Sequence, residues 1–290
     1  MTKKFVILFF IFIILSISGI YLANESWRLN IAGELSGLFR GKGVQQDSGI
    51  GSLSSLPVYM REGADPSVDP LFLAARSGAV SGITAALVAS SPDRQDKTGL
   101  TPLMYAAKGN KTDAVKALVS KGASLDIQDI KGYSALMYSA ESAADEVNGY
   151  LLSRGADPNL NAFNGDTALA IAAFSGRAVQ LDNLLDRQAD VNKKNVGGVT
   201  PLMFAAINGS REAVSALIRR GAQIDARDNN GFTALLYAAE YGNVEAIRVL
   251  ADAGADVGAR DNAGVTAVGH ARRNSHKDAA DALYSLGVPE

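Results

Sequence analysis

The chain repeats itself every 33 residues, and that period constrains its fold more than any other feature. Six strings in phase carry it: Thr101-Pro-Leu-Met-Tyr-Ala-Ala107, Ser134-Ala-Leu-Met-Tyr-Ser-Ala140, Thr167-Ala-Leu-Ala-Ile-Ala-Ala173, Thr200-Pro-Leu-Met-Phe-Ala-Ala206, Thr233-Ala-Leu-Leu-Tyr-Ala-Ala239 and Thr266-Ala-Val-Gly-His-Ala-Arg272. A looser copy, Asp69-Pro-Leu-Phe-Leu-Ala-Ala75, precedes them by 32 residues. A fixed period of this length marks a stack of similar units, each burying its apolar face against the next.

Each position in the string has a physical role. Thr or Ser at the head caps a helix by accepting a bond from an otherwise unpaired backbone N–H. Pro102 and Pro201 then fall at the first helical position, where a missing N–H is harmless. Leu103, Leu136, Leu169, Leu202 and Leu235 point into the stack, and the Ala pair keeps the helix slim enough for neighbours to approach. A second helix follows, as over residues 113–119 and 211–218, and ends at Gly122, Gly155, Gly221 and Gly254, where a left-handed residue closes it. Gln188 takes that place in the fourth unit, so a strained or altered end is expected there. Gly99, Gly132, Gly165, Gly198, Gly231 and Gly264 recur between units, as turns with positive φ require.

This turn–helix–helix unit resembles the ankyrin-repeat family over residues 69–290. The resemblance implies an all-α solenoid of about seven repeats with β-turn tips, acting as a binding surface for another protein. One departure stands out. The family commonly has His after Thr-Pro-Leu, whereas this chain has Met104, Met137, Ala170, Met203, Leu236 and Gly269; packing is expected to replace the usual histidine hydrogen bonds. Repeats 1 and 7 are expected to cap the stack, since an outer face must meet water.

In members of the family, partners contact residues flanking the turn glycine and just after the Ala pair. Carried over by position, these are Ile130, Lys131, Tyr133 and Glu141 in repeat 3, and Phe163, Asn164, Asp166 and Phe174 in repeat 4. Repeat 5 supplies Val196, Val199, Ile207 and Asn208; repeat 6 supplies Asn229, Asn230, Phe232, Glu240 and Tyr241. The set is rich in apolar and aromatic side chains for positions that the fold leaves open, and clustered exposed aromatics mark binding hot spots. Tucking against neighbouring turns is the competing account for some of them. Repeat 2, with Lys97, Thr98 and Lys108, is more polar and reads as a rim.

Ahead of the repeats, residues 5–22 form an uncharged run preceded by Lys3 and Lys4. As a helix it would reach about 27 Å, close to the hydrocarbon thickness of a bilayer. An uncleaved anchor is the favoured reading. A cleaved signal competes, ending at Ala23, although signal cores are shorter and Tyr21 is bulky for such a site. The cations at the start place the body outside the cytoplasm, which in a bacterium is the periplasm. Residues 24–60, with Gly41, Gly43, Gly49 and Gly51 and several serines, read as a flexible tether, with a small capping element packed on the first repeat as the competing account. The expected organisation is therefore a membrane anchor or signal over 1–23, a tether over 24–60 and the repeat domain over 61–290. That arrangement puts a single N-terminal transmembrane helix before the solenoid.

Chemistry is not expected. The sequence has no cysteine, which removes disulfides, thiolate catalysis and cysteine-based metal sites. Its two histidines, His270 and His276, read as end-cap residues, and Met104, Met137 and Met203 read as gap-filling core rather than a thioether metal site. Asp126, Asp157, Asp190, Asp225 and Asp256 recur in phase as turn residues. No cofactor is implied. With 28 Lys plus Arg against 30 Asp plus Glu, net charge −2, no field favours nucleic acid. The expected roles are a membrane-tethered scaffold that binds a protein through its concave surface, a permanent accessory subunit of a membrane complex, or a secreted effector or inhibitor.

Overall fold

The computed structural model describes residues 68–287. The expected anchor, tether and first residues of the repeat domain lie outside these. Among the described residues there are fourteen helices and no strands, and no helix is long and apolar enough to cross a membrane.

The helices come in pairs, one per repeat. Repeat 1 has α1 (Pro70–Ser77) and α2 (Val80–Ala86), and repeat 2 has α3 (Pro102–Lys108) and α4 (Thr112–Ser120). Repeat 3 has α5 (Ala135–Glu141) and α6 (Asp145–Ser153), and repeat 4 has α7 (Ala168–Phe174) and α8 (Ala178–Asp186). Then follow α9 (Pro201–Asn208) with α10 (Arg211–Arg219), α11 (Ala234–Glu240) with α12 (Val244–Asp252), and α13 (Ala267–Arg273) with α14 (Lys277–Ser285). First helices pack on first helices and second on second, so the core runs unbroken along the stack.

The head residues cap as expected. Thr101 Oγ1 accepts from Met104 N at 3.2 Å, and Thr167, Thr200, Thr233 and Thr266 do the same. The repeated leucines are at most 1% exposed and the Ala pairs are buried. Burial of this kind, at about 25 cal/mol per Å² of apolar surface, is what holds units with little polar content together. Packing alone does not replace the missing histidines, however. Met104 Sδ accepts from Thr101 N at 3.4 Å and Met203 Sδ from Thr200 N at 3.3 Å, because a flexible thioether reaches back to the cap.

Gln188 adopts φ 62, the left-handed conformation that Gly122, Gly155, Gly221, Gly254 and Gly287 take at the ends of α4, α6, α10, α12 and α14. Its side chain makes that conformation costly, as the sequence implied. Between the helices of each pair another left-handed residue recurs. It is Gly in repeats 1, 4, 5 and 6, but Asn110, Ala143 and Ser275 in repeats 2, 3 and 7. Repeat 7, the last among the described residues, presents an exposed, basic surface, where the Arg272 guanidinium lies over the Tyr284 ring. Repeat 1 is less polar than a cap was expected to be, since Leu73 and Val80 stand partly exposed.

Candidate protein-binding surface

Repeats 2–7 each project a turn tip closed by short backbone bonds, as where Gly132 N donates to Asp129 O at 2.9 Å. Tips are then tied to one another. Ile130 N donates to Thr98 O at 3.1 Å, Phe163 N to Lys131 O at 3.0 Å, Val196 N to Asn164 O at 2.9 Å, and Asn229 N to Gly197 O at 3.0 Å. Gly132 and Gly165 make that register possible. Both have positive φ, and a Cβ there would stand 2.7 Å from Phe163 N and Val196 N respectively. Glycine is needed at these two positions for conformation and for space.

The register lines up one side chain per tip, in the order Lys97, Ile130, Phe163, Val196, Asn229 and Asn262. Its centre is apolar and open. Phe163 is 74% exposed, Val196 72% and Ile130 49%. A second row follows the Ala pairs at the ends of the first helices: Lys108, Glu141, Phe174, Ile207, Glu240 and Arg273. Here too the apolar members fall in repeats 4 and 5. Phe174 is 54% exposed and packs edge-on against Phe204, with ring centroids 5.9 Å apart. The two rows form an apolar patch over repeats 3–5, bordered by Lys97, Lys108 and Lys131 on one side and by Asn229, Glu240 and Arg273 on the other.

Not every carried-over residue is as open as the resemblance implied. Tyr133, Val199 and Phe232 are half-buried and pack against the core. Tyr133 lies 5.4 Å from the Tyr138 ring, and Phe232 lies 4.8 Å from Tyr237 and 4.7 Å from His270. An aromatic following the tip folds back over the side chain at the middle of the first helix, which gives it apolar contact that water does not. Lys131 and Glu141 are exposed, as is Tyr241, whose phenol is shifted upward by burial and by Glu240. Glu240 is half-buried, and burial raises its carboxyl while His270 opposes the shift. Asp166 is half-buried too, with its carboxyl raised by burial despite bonds from Asn195 Nδ2 at 2.9 Å and Asn164 Nδ2 at 2.6 Å.

Beneath the tips lies a feature that the sequence reading missed. Tyr105 OH donates to Asp96 Oδ2 at 2.9 Å, Tyr138 OH to Asp129 Oδ2 at 2.6 Å and Tyr237 OH to Asp228 Oδ2 at 2.8 Å. In repeat 7, His270 Nε2 lies 3.0 Å from Asp261 Oδ2. Each carboxylate also accepts from two backbone N–H groups of its own tip, as Asp129 Oδ1 does from Lys131 at 2.8 Å and Tyr133 at 2.9 Å. Burial first and the carboxylate bond second push the Tyr105 phenol up to about 12, and raise Tyr138 and Tyr237 as well. Repeats 4 and 5 lack the pair on both sides: Ala162 faces Ile171, and Asn195 faces Phe204. The residues stand nine apart in every copy, so aligning the repeats on one another would have exposed the pattern.

Among the described residues no three His, Asp or Glu side chains converge as a metal site. A family model for ankyrin repeats in three copies matches residues 71–162, 150–228, 169–261 and 202–288. The chain belongs to the ankyrin-repeat family. Among solved structures, this ankyrin-repeat chain is similar to the crystal structure of the human ASB11 ankyrin repeat domain, with a TM-score of 0.68 and 24% sequence identity. That match covers 76% of this chain and 99% of the other, and at such identity it speaks for the fold alone. Among curated proteins, none matches. Ankyrin repeats generally mediate protein–protein interaction, and the open apolar rows of this ankyrin-repeat stack suit that use.

Proposed function

We propose that this chain is a binding module that holds a partner protein against the apolar rows of repeats 3–5. The observation that carries the reading is the alignment of Phe163, Val196 and Phe174, all more than half exposed, on adjacent units. Large apolar side chains set in register on a soluble surface mark an interaction site, because partner burial removes them from water at little entropic cost. The flanking charges then form the polar rim that interfaces commonly have.

The uncharged run over residues 5–22 and the tether after it support placing this module at a membrane, with the repeats on the non-cytoplasmic, periplasmic side. The work proposed is recruitment or stabilisation of the partner there. It calls for no catalytic residue and no cofactor, and the balanced charge favours a protein partner over nucleic acid. A second reading, a permanent subunit of a membrane complex, draws on Ser16, Ser18 and Gly19, small residues that permit close helix packing within that run.

The test is capture from native membranes by the full chain and by a Phe163→Ser, Phe174→Ala, Val196→Ser variant, with circular dichroism to check folding. All three side chains are largely exposed, so the variant retains its core. A protein recovered by the wild type and lost by the folded variant supports the surface reading. Equal recovery by both moves binding to the N-terminal run and the subunit reading takes over.

A further inference from the structure

Repeat 3 carries a buried polar cluster found in no other unit. Ser139, Asn148 and Gln180 are each 0% exposed, and they meet where α5 and α6 of repeat 3 contact α8 of repeat 4. Asn148 Nδ2 donates to Ser139 Oγ at 3.1 Å, Ser139 Oγ donates to Leu136 O at 2.7 Å, and Gln180 Nε2 donates to Ser139 O at 3.2 Å. The two amide oxygens, Asn148 Oδ1 and Gln180 Oε1, accept no hydrogen bond from the protein. In the other repeats the position of Ser139 is held by Ala, that of Asn148 by Val, Leu, Ile or Ala, and that of Gln180 by Ala, Val or Gly. A half-satisfied buried polar network destabilises the packing around it, because each orphan acceptor has lost water and gained nothing.

Two further features weaken the same unit. Gly149 sits in the middle of α6, where a residue without a side chain leaves the helix with more entropy to lose. No neighbour requires it: an added Cβ would meet only Asn183 Nδ2, at an ordinary 3.7 Å. The connection from α5 to α6 turns through Ala143 at φ 57, a conformation for which repeats 4, 5 and 6 use glycine. A repeat array is held by nearest-neighbour contacts, so an interior unit with poor intrinsic stability becomes a place where the stack opens.

We propose that the solenoid has a built-in opening joint at repeat 3, where α6 detaches from the stack while the units beyond it stay folded. The Phe163 N to Lys131 O bond crosses this joint, and Ile130 and Phe163 stand on its two sides. Opening therefore separates two members of the apolar tip row and reshapes the surface proposed above; the joint itself does not depend on that surface binding anything.

Hydrogen exchange of the full chain tests the joint directly. Amides of α6 are expected to show protection at least about tenfold below those of α4 and α8, the equivalent helices on either side. A Ser139→Ala, Asn148→Leu, Gly149→Ala, Gln180→Met variant, checked for folding by circular dichroism, should raise α6 to the level of its neighbours. Equal protection across α4, α6 and α8 in the wild type overturns the proposal. So does a variant that leaves α6 fast-exchanging, and so does one that fails to fold, since the polar cluster would then be a stabilising element. Capture experiments on the apolar rows leave each of these outcomes unaffected.

Discussion

At the scale of single residues, the Tyr–Asp pairs beneath the tips link the core to the surface. Asp129 is buried, yet three groups donate to its two oxygens, two from the tip backbone and one from the Tyr138 hydroxyl. Tyr138→Phe removes one bond to a charged group and should cost about 1.5–3 kcal/mol. Asp129→Ala should cost more, because it also strips the acceptor from Lys131 N and Tyr133 N. Made together, the two should cost no more than Asp129→Ala alone, since a phenol without its acceptor is itself a buried orphan; additive urea-denaturation losses would contradict this coupling. The pairs also set a response to alkali. A phenol whose folded pKa lies above the usual value of about 10 favours the folded state below that value, and this contribution fades as pH rises through the folded pKa. With Tyr105 at about 12, stability should fall between about pH 10 and 12. Tyr105→Phe should make that part of a pH series of melting temperatures less steep, the raised Tyr138 and Tyr237 phenols supplying the slope that remains. The sequence showed the tyrosines and the aspartates separately but not their pairing. A residue nine positions away comes within reach only once the tip folds back over the first helix.

At the scale of the element, the repeated string specified the first helix almost completely. The cap, the proline and the buried Leu and Ala positions all stand where the pattern put them, because each is a local demand of helix geometry. The second helices were less legible, since their starts at Lys111, Ala144, Arg177, Asn243 and His276 have no side-chain cap to announce them. Their ends are clearer, and the exception makes a prediction. Gln188 closes α8 at φ 62, where Gly122, Gly155, Gly221 and Gly254 close α4, α6, α10 and α12. Gln188→Gly relieves the steric cost of a Cβ in that conformation and gives back part of it as unfolded-state entropy. The balance should stabilise the chain by about 0.5–1 kcal/mol. In a domain of this size that is a rise of about 1–4 °C in the midpoint of thermal unfolding. A lower midpoint would mean that the Gln188 side chain or its carbonyl, which accepts from Asn159 Nδ2 at 3.1 Å, contributes more than the backbone strain costs.

At the scale of the whole stack, what the sequence displayed was the period, and what it hid was the variation within it. Six units in phase, with a looser copy ahead of them, follow from spacing alone, because each must present the same face to the next. The apolar rows were half visible: Phe163, Phe174 and Val196 could be carried over by position, but Tyr133, Val199 and Phe232 needed the structure to show that they turn inward. Residues from three helices make the polar cluster of repeat 3, so no linear pattern announces it. The same nearest-neighbour logic governs the end of the array. Repeat 7 covers the last face of repeat 6, with His270 against Phe232 at 4.7 Å and α13 and α14 packed on α11 and α12. A chain ending at Ala263 would uncover the buried Leu235, Leu236 and Ile247 side of that unit with nothing to replace the contact. Exchange protection in α11 and α12 should then fall by at least about tenfold, while α3 and α4, far from the cut, keep theirs. If protection in repeat 6 survives the cut, its stability is intrinsic rather than borrowed from repeat 7. If protection is lost evenly from repeat 2 to repeat 6, the array unfolds as one unit, and the joint inferred at repeat 3 does not interrupt its cooperativity.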